Sequence, residues 1–298
     1  MTPVDGNNLP KKQRREAARE HARQLREQEA KRRRRNRWLA QGGVIVAVLA
    51  IVAVVAVVIV NAAQKEPPTP LSSNQAGPAN MISDGILLTG PDMKAVRTPG
   101  IQPGQDPVPT DPSAHPGVAN IVTYVDYQCP VCQLFEAVNG ANIKKWVEDG
   151  DATIEIHPIT FLDNMSQGNK YSSRAANAMA CVANYQPDVY YDVNTAIYVD
   201  QPAEGSKGMS DDKLISVLQK AGATDENIPH CVKSLEFGSW VAAATSRAMG
   251  GAPLPNSDLQ RVTGTPTIIV NGKEYTTDDG SIADAQAFQK FVQSMAGQ

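Results

Sequence analysis

Cysteine and histidine are scarce in this chain, with four of each in 298 residues. A structural zinc site needs four ligands, commonly as two close pairs, and only Cys129 and Cys132 lie close together. Cys181 and Cys231 stand 50 residues apart, and His21, His115, His157 and His230 are scattered. That spacing excludes a zinc cluster of the usual kind, and neither metal nor cofactor is expected. Charge is missing altogether from Trp38 to Gln64, where Val44 to Val60 is an unbroken run of Val, Ile, Ala and Leu. A buried core helix rarely runs so long without a polar residue, whereas about 20 apolar residues cross a bilayer. Internal repeats are also absent.

The uncharged run predicts a single transmembrane helix over 38–63, with Trp38 at one interface. Its flanks are unequal. Residues 1–37 hold 13 Lys/Arg and 5 Asp/Glu, a balance of +8 in a chain of net charge -3, so the remainder carries -11. Lys31 to Arg35 and Arg37 crowd one flank, which predicts a cytoplasmic N-terminus and an extracytoplasmic location for everything after residue 64. A signal peptide cleaved after about residue 62 is the competing reading, because Val60-Asn61-Ala62 resembles a small-residue cleavage site. The long charged region before the run favours an uncleaved anchor. The basic segment 1–37 reads as cytoplasmic and bound to anionic membrane lipid rather than to nucleic acid, since each basic residue near such a surface gains about 1 kcal/mol.

Between Asn61 and Gly117 fall 11 of the 21 prolines, and residues 64–117 are predicted to be a semi-extended linker. Within it, the apolar stretch in Asp84 to Gly90 lies between turn residues and predicts an edge strand or hairpin at 81–96. The folded region is expected over 118–298. Ile121 to Val125 reads as a strand, Gln133 to Trp146 as a helix with Leu134, Phe135, Val138, Ile143 and Trp146 inward, and Thr153 to Thr160 as a second strand. A helical block follows over about 167–250, in which Ser210 caps one helix and Gly222 ends it. Pro266 to Val270 is then a strand, Asn271-Gly272 a two-residue turn, and Lys273 to Thr276 the return strand. The last helix is predicted to start at Ser281. The order is strand, helix, strand, helical block, hairpin, helix, which makes an α/β sheet with a helical insertion.

The chemistry concentrates at Cys129-Pro130-Val131-Cys132. Cys129 falls where a strand turns into a helix, so unpaired N–H groups and the positive end of the helix dipole favour a thiolate there. A thiolate is the species that attacks disulfides. Pro130 suits the first helical position, where a missing N–H costs nothing. Outside the cytoplasm an even number of cysteines invites pairing. Pairing Cys181 with Cys231 leaves the short motif intact, and two buried free thiols are the alternative.

These residues resemble the DsbA-like, thioredoxin-fold thiol:disulfide oxidoreductases. The resemblance covers residue 118 onward and rests on Tyr127 to Cys132 after a strand, Phe135 in the next helix, a helical insertion, and Gly264-Thr265-Pro266-Thr267 before the hairpin. It implies an exposed nucleophile at Cys129, a more buried partner at Cys132, and a cis Thr265-Pro266 bond packed beside them, with Pro130 and Val131 supporting the site. It also implies exported protein substrates with free thiols and a quinone-linked membrane reoxidase of the DsbB or VKOR type. Two positions depart from the family. Val131 stands where strong oxidants often carry His, and Thr123 stands where many members carry a buried, proton-relaying acid; the nearest acid is Asp126. A thiol reductant or isomerase with the same fold, and a non-catalytic envelope binding module, are the alternative readings.

Overall fold

A computed structural model describes residues 75–250, 252–276, 282 and 284–296. The predicted basic segment 1–37, the predicted span 38–63 and linker residues 64–74 lie outside them. Among the described residues no helix is long and apolar enough to cross a membrane.

One six-stranded sheet organises the fold. Its strands are β1 (Ile86–Thr89), β2 (Lys94–Ala95), β3 (Ala119–Val125), β4 (Ala152–Pro158), β5 (Thr267–Val270) and β6 (Lys273–Glu274). Their spatial order is β2-β1-β4-β3-β5-β6. β3 and β4 run parallel, with Ile121 opposite Ile154 and Thr123 opposite Ile156, and a parallel pair requires a crossover helix. That helix is α1 (Pro130–Glu148). β5 lies antiparallel to β3 and β1 antiparallel to β4. The β5–β6 turn is Asn271-Gly272, with φ of 46° and 83°, the double positive φ that a tight hairpin needs.

Between β4 and β5 come α2 (Tyr171–Tyr185), α3 (Tyr190–Val199), α4 (Asp211–Lys220), α5 (Ile228–Ser234) and α6 (Gly238–Met249). α2 is the centre of this block. Ala175, Ala176, Ala178, Met179, Ala180 and Cys181 are all fully buried, and small side chains let neighbouring helices approach it closely. Ser210 caps α4 by accepting from the Lys213 N–H. The last helix, α7 (Ala285–Met295), places Phe288 and Val292 against the sheet core. Its cap is Asp284, which accepts from the Gln286 and Ala287 N–H groups; the predicted start at Ser281 falls outside the described residues.

Two expectations need correction. Residues 76–117 are not a free spacer: the Gly77 N–H donates to Ile101 O at 2.7 Å, Asn80 N–H to Thr98 O at 2.9 Å, and Val108 N–H to Ile82 O at 2.9 Å. Met81 and Ile101 are buried in the core. The physical reason lies on β4, whose seven residues are all buried, so that Thr153, Glu155 and His157 do not face water. Glu155 accepts from the Ser83 hydroxyl and sits 3.2 Å from His157 Nε2. The proline-containing segment thus covers the second face of the sheet. Finally, Leu134 points outward, 45% exposed, while Asn139 and Gly140 turn inward, where the Tyr191 hydroxyl on α3 donates to Gly140 O at 2.8 Å.

Candidate active site

The turn between β3 and α1 is held by one buried carboxylate. Asp126 Oδ1 accepts from the Gln128 N–H at 2.8 Å and the Ser172 hydroxyl at 2.7 Å, and Oδ2 accepts from the Leu162 N–H at 2.7 Å. The side chain is completely buried. Desolvation pushes its pKa up to about 6, with these three donors opposing the rise. Gln201, in the loop after α3, donates from Nε2 to Tyr127 O at 3.0 Å and Cys129 O at 3.1 Å. The motif is therefore gripped from below by Asp126 and from the helical block by Gln201.

Cys129 is the N-cap of α1, with extended backbone (φ -78°, ψ 117°) and Pro130 at the first helical position. Both sulfurs are free thiols. The structure corrects the expected exposure of Cys129: it is 4% accessible, against 1% for Cys132. The Cys129 thiol donates to Thr265 O at 3.2 Å, and the Thr265-Pro266 peptide is cis. Thus the strand start before β5 lies directly beside the first sulfur. The Thr265 hydroxyl is buried and has no hydrogen-bond partner among the described residues. Val131 is half-buried against the core and brings no polar atom to the sulfurs.

The two thiols are electrostatically unlike. Hydrogen bonding from Cys132, outweighing desolvation and assisted by the Thr265 side chain and the Cys132 N–H, lowers the Cys129 pKa. Burial first, then the neighbouring Cys129 sulfur, raises that of Cys132 well above the ordinary thiol range. The Asp126 charge works against a thiolate at either position. One sulfur is thus poised as an attacking and leaving group, and the other as a thiol that holds its proton.

The remaining cysteines join α2 to α5: Cys181 and Cys231 form a disulfide with Cα atoms 5.9 Å apart. Among the described residues no cluster of three or more His, Cys, Asp or Glu side chains could hold a metal. A cavity of about 440 Å³ opens on the second face of the sheet, beside Glu155, His157, Asn120 and Thr153. None of its lining residues belongs to the Cys129–Cys132 motif, so it is separate from the thiol chemistry. Sequence reasoning missed Ser172 and Gln201, which are single polar residues in a helix and a loop with no local pattern. Asp126 was visible only as the nearest acid.

A family model described as Thioredoxin matches residues 117–293. Among solved structures, the reduced disulfide bond oxidoreductase DsbG from Mycobacterium tuberculosis is 27% identical, with a TM-score of 0.53 over 72% of this chain and 88% of that one. Reduced DsbA from Mycobacterium tuberculosis is also 27% identical, with a TM-score of 0.53 over 72% of this chain and 93% of that one. BdbD from Bacillus subtilis, at 17% identity and a TM-score of 0.52 over 76% of this chain and 100% of that one, is similar in fold alone. Among curated proteins, the serine/threonine-protein kinase PknE of Mycobacterium tuberculosis is 32% identical over 110 residues. That match spans 36% of this chain and only 19% of the kinase.

Proposed function

Since this chain belongs to the thioredoxin family and its structural neighbours are DsbA-type thiol-disulfide oxidoreductases, we propose that Cys129 and Cys132 are its redox pair and that it introduces disulfides into exported proteins. The observation that carries the reading is the contrast between the two sulfurs: the Cys129 pKa is lowered at a helix N-terminus beside Thr265, and that of Cys132 is raised by burial. A substrate thiolate attacks Cys129 Sγ, the Cys129–Cys132 bond breaks, and Cys132 leaves and is protonated. The substrate's second thiolate then attacks the substrate sulfur of the mixed disulfide, and Cys129 leaves as a thiolate. Two substrate thiols are oxidised, and two electrons remain on the dithiol. A stabilised Cys129 thiolate favours this reduced form, which makes the pair more oxidising.

The location is part of the proposal. The uncharged run over 38–63 with its basic flank supports an uncleaved anchor that keeps 1–37 in the cytoplasm against anionic lipid and the catalytic region outside. A quinone-linked membrane oxidase of the DsbB or VKOR type would then return the dithiol to the disulfide. Equilibration with a glutathione or dithiothreitol couple tests the direction of electron flow. The expected reduction potential is well above that of thioredoxin, about -270 mV, and a value near thioredoxin's would favour the reductant reading. A Cys129→Ser variant that keeps the cellular role of the wild type would favour the non-catalytic binding module instead.

A further inference from the structure

The two central strands carry a partly polar face that the thiol chemistry does not use. Asn120 on β3 stands opposite Thr153 on β4, Val122 opposite Glu155, and Tyr124 opposite His157. Alternate residues of a strand share one face, and all six line the cavity of about 440 Å³ on the second side of the sheet. Pro109, Pro112 and Pro116 of the covering segment and Pro255 of the loop before β5 line it as well. Ligand sites are clefts of roughly 300–1,000 Å³, mostly apolar with a few placed polar groups, and this cavity has that size and make-up. Water alone is the competing occupant.

Its polar groups are not equivalent. Asn120 Oδ1 accepts the Thr153 hydroxyl at 3.0 Å, and Asn120 Nδ2 donates to Asn271 Oδ1 at 3.2 Å, so this end is satisfied within itself. Glu155, two residues along β4 and 5% exposed, accepts from the Ser83 hydroxyl and lies 3.2 Å from His157 Nε2. Burial opposes its charge, but His157, Ser83 and Thr110 together hold its pKa below the ordinary carboxylate value, so the group is ionised at neutral pH. A carboxylate has about four acceptor positions, and these three side chains leave room for a further donor. Among the described residues that line the cavity there is no lysine or arginine, and Glu155 is the one acid. Arg247, in the adjoining crevice, donates to both oxygens of Asp84 at 2.6 Å. An anion in the cavity would therefore meet a buried carboxylate with no lysine or arginine to offset it, whereas a cation would complete a pair.

We propose that this cavity binds a small organic ammonium ion, an amine carried on an aromatic or similarly ring-sized apolar body. The ammonium donates to the free acceptor positions of Glu155, and the body lies between Val122 and Tyr124 on the floor and the prolines of the covering loops. The charge-assisted hydrogen bond supplies orientation and selectivity against anions, and the apolar walls supply the burial. A neutral ring of the same shape should bind more weakly, and the corresponding acid not at all. The site shares no residue with the Cys129–Cys132 motif, so it stands or falls separately from the exchange reading.

The test is calorimetric titration of the full chain at neutral pH with three probes that share an indole ring and differ in charge: tryptamine, skatole and indolepropionic acid. Tryptamine is expected to bind roughly 10- to 100-fold more tightly than skatole, the range that a hydrogen bond to a charged group contributes, and indolepropionic acid is expected not to bind. Glu155→Gln keeps an acceptor for Ser83 but removes the charge, so tryptamine should fall to the level of skatole. Because Glu155 also holds Ser83 and His157, a second variant leaves it in place: Val122→Trp, at a half-buried position on the floor, fills the cavity and should abolish tryptamine binding. Failure of all three probes to bind the wild type at millimolar concentration would leave water as the occupant and overturn the proposal. So would equal binding of the amine and the acid, a Glu155→Gln protein that still prefers tryptamine, or a Val122→Trp protein that binds it as the wild type does.

Discussion

The Cys129 thiol donates to the Thr265 carbonyl at 3.2 Å, while the buried Thr265 hydroxyl has no hydrogen-bond partner among the described residues. The two facts belong to different charge states of the sulfur. A thiol can use the carbonyl as acceptor; a thiolate cannot, and needs a donor instead. Beside the Cys132 thiol and N–H, the Thr265 hydroxyl is such a donor, and a hydrogen bond to a charged group contributes more than one between neutral groups.

Thr265→Val removes that donor and nearly preserves shape. The Cys129 pKa is expected to rise, because the Thr265 side chain is among the groups that lower it. The measurement is the pH dependence of Cys129 alkylation, or of thiolate absorbance. The less stable thiolate also makes the protein a weaker oxidant, so the reduction potential should fall in the same variant. An unchanged alkylation profile would assign the hydroxyl to packing alone.

Asp126 makes a prediction about stability. Its folded pKa, about 6, lies above the ordinary carboxyl value of 3.8. A carboxyl raised in this way disfavours the folded state once it must ionise: its contribution is present in full below about pH 4 and is lost as pH rises towards 6. The difference corresponds to roughly 3 kcal/mol at most. Denaturant unfolding between pH 4 and 7 should therefore show a falling component in the wild type that is missing from Asp126→Asn. Because the Asp126 charge opposes a thiolate at Cys129, the same variant should have a lower Cys129 pKa.

How much of this was legible beforehand depends on whether the controlling physics is local. The strand before Cys129, Pro130 at the helix start, the Ser210 cap and the Asn271-Gly272 turn each follow from a few adjacent residues, and each was readable. The packing of 97–117 was not, because proline fixes backbone shape without saying whether the segment is solvated or clamped. The signal lay elsewhere, in the alternation of Thr153, Glu155 and His157 on β4, which mimics a water-facing strand. Likewise the inward turn of Gly140, whose carbonyl accepts from the Tyr191 hydroxyl 51 residues downstream, has no signal in its neighbours. Gln201 reaches the site only through the loop after α3, and no spacing rule connects it to the cysteines.

The second sheet face can be tested separately from the thiols. A Cβ at Gly85 would fall 2.5–2.7 Å from His157 Nε2, Cδ2 and Cε1. Gly85→Ala must displace the ring, which is stacked on Tyr124 at 4.5 Å between centroids and lies 3.2 Å from Glu155. Overpacking of this kind costs about 1–3 kcal/mol. Thermal or denaturant unfolding should register that loss, while the alkylation profile of Cys129 stays as in the wild type.

The Cys181–Cys231 disulfide closes a sequence separation of 50 residues. On the chain-entropy argument, cross-linking a loop of that size disfavours the unfolded state by about 4 kcal/mol. Cys181→Ala with Cys231→Ala removes the link from the fully buried contact between α2 and α5 and should lower unfolding stability by roughly that amount. The catalytic pair is not part of this link, so a double variant that stays folded should still exchange disulfides at Cys129. Loss of exchange at temperatures where the variant is folded would mean that the α2–α5 clamp also positions the motif, acting through Ser172 on α2 and its bond to Asp126. In that case Ser172→Ala, with the disulfide intact, should reproduce the defect.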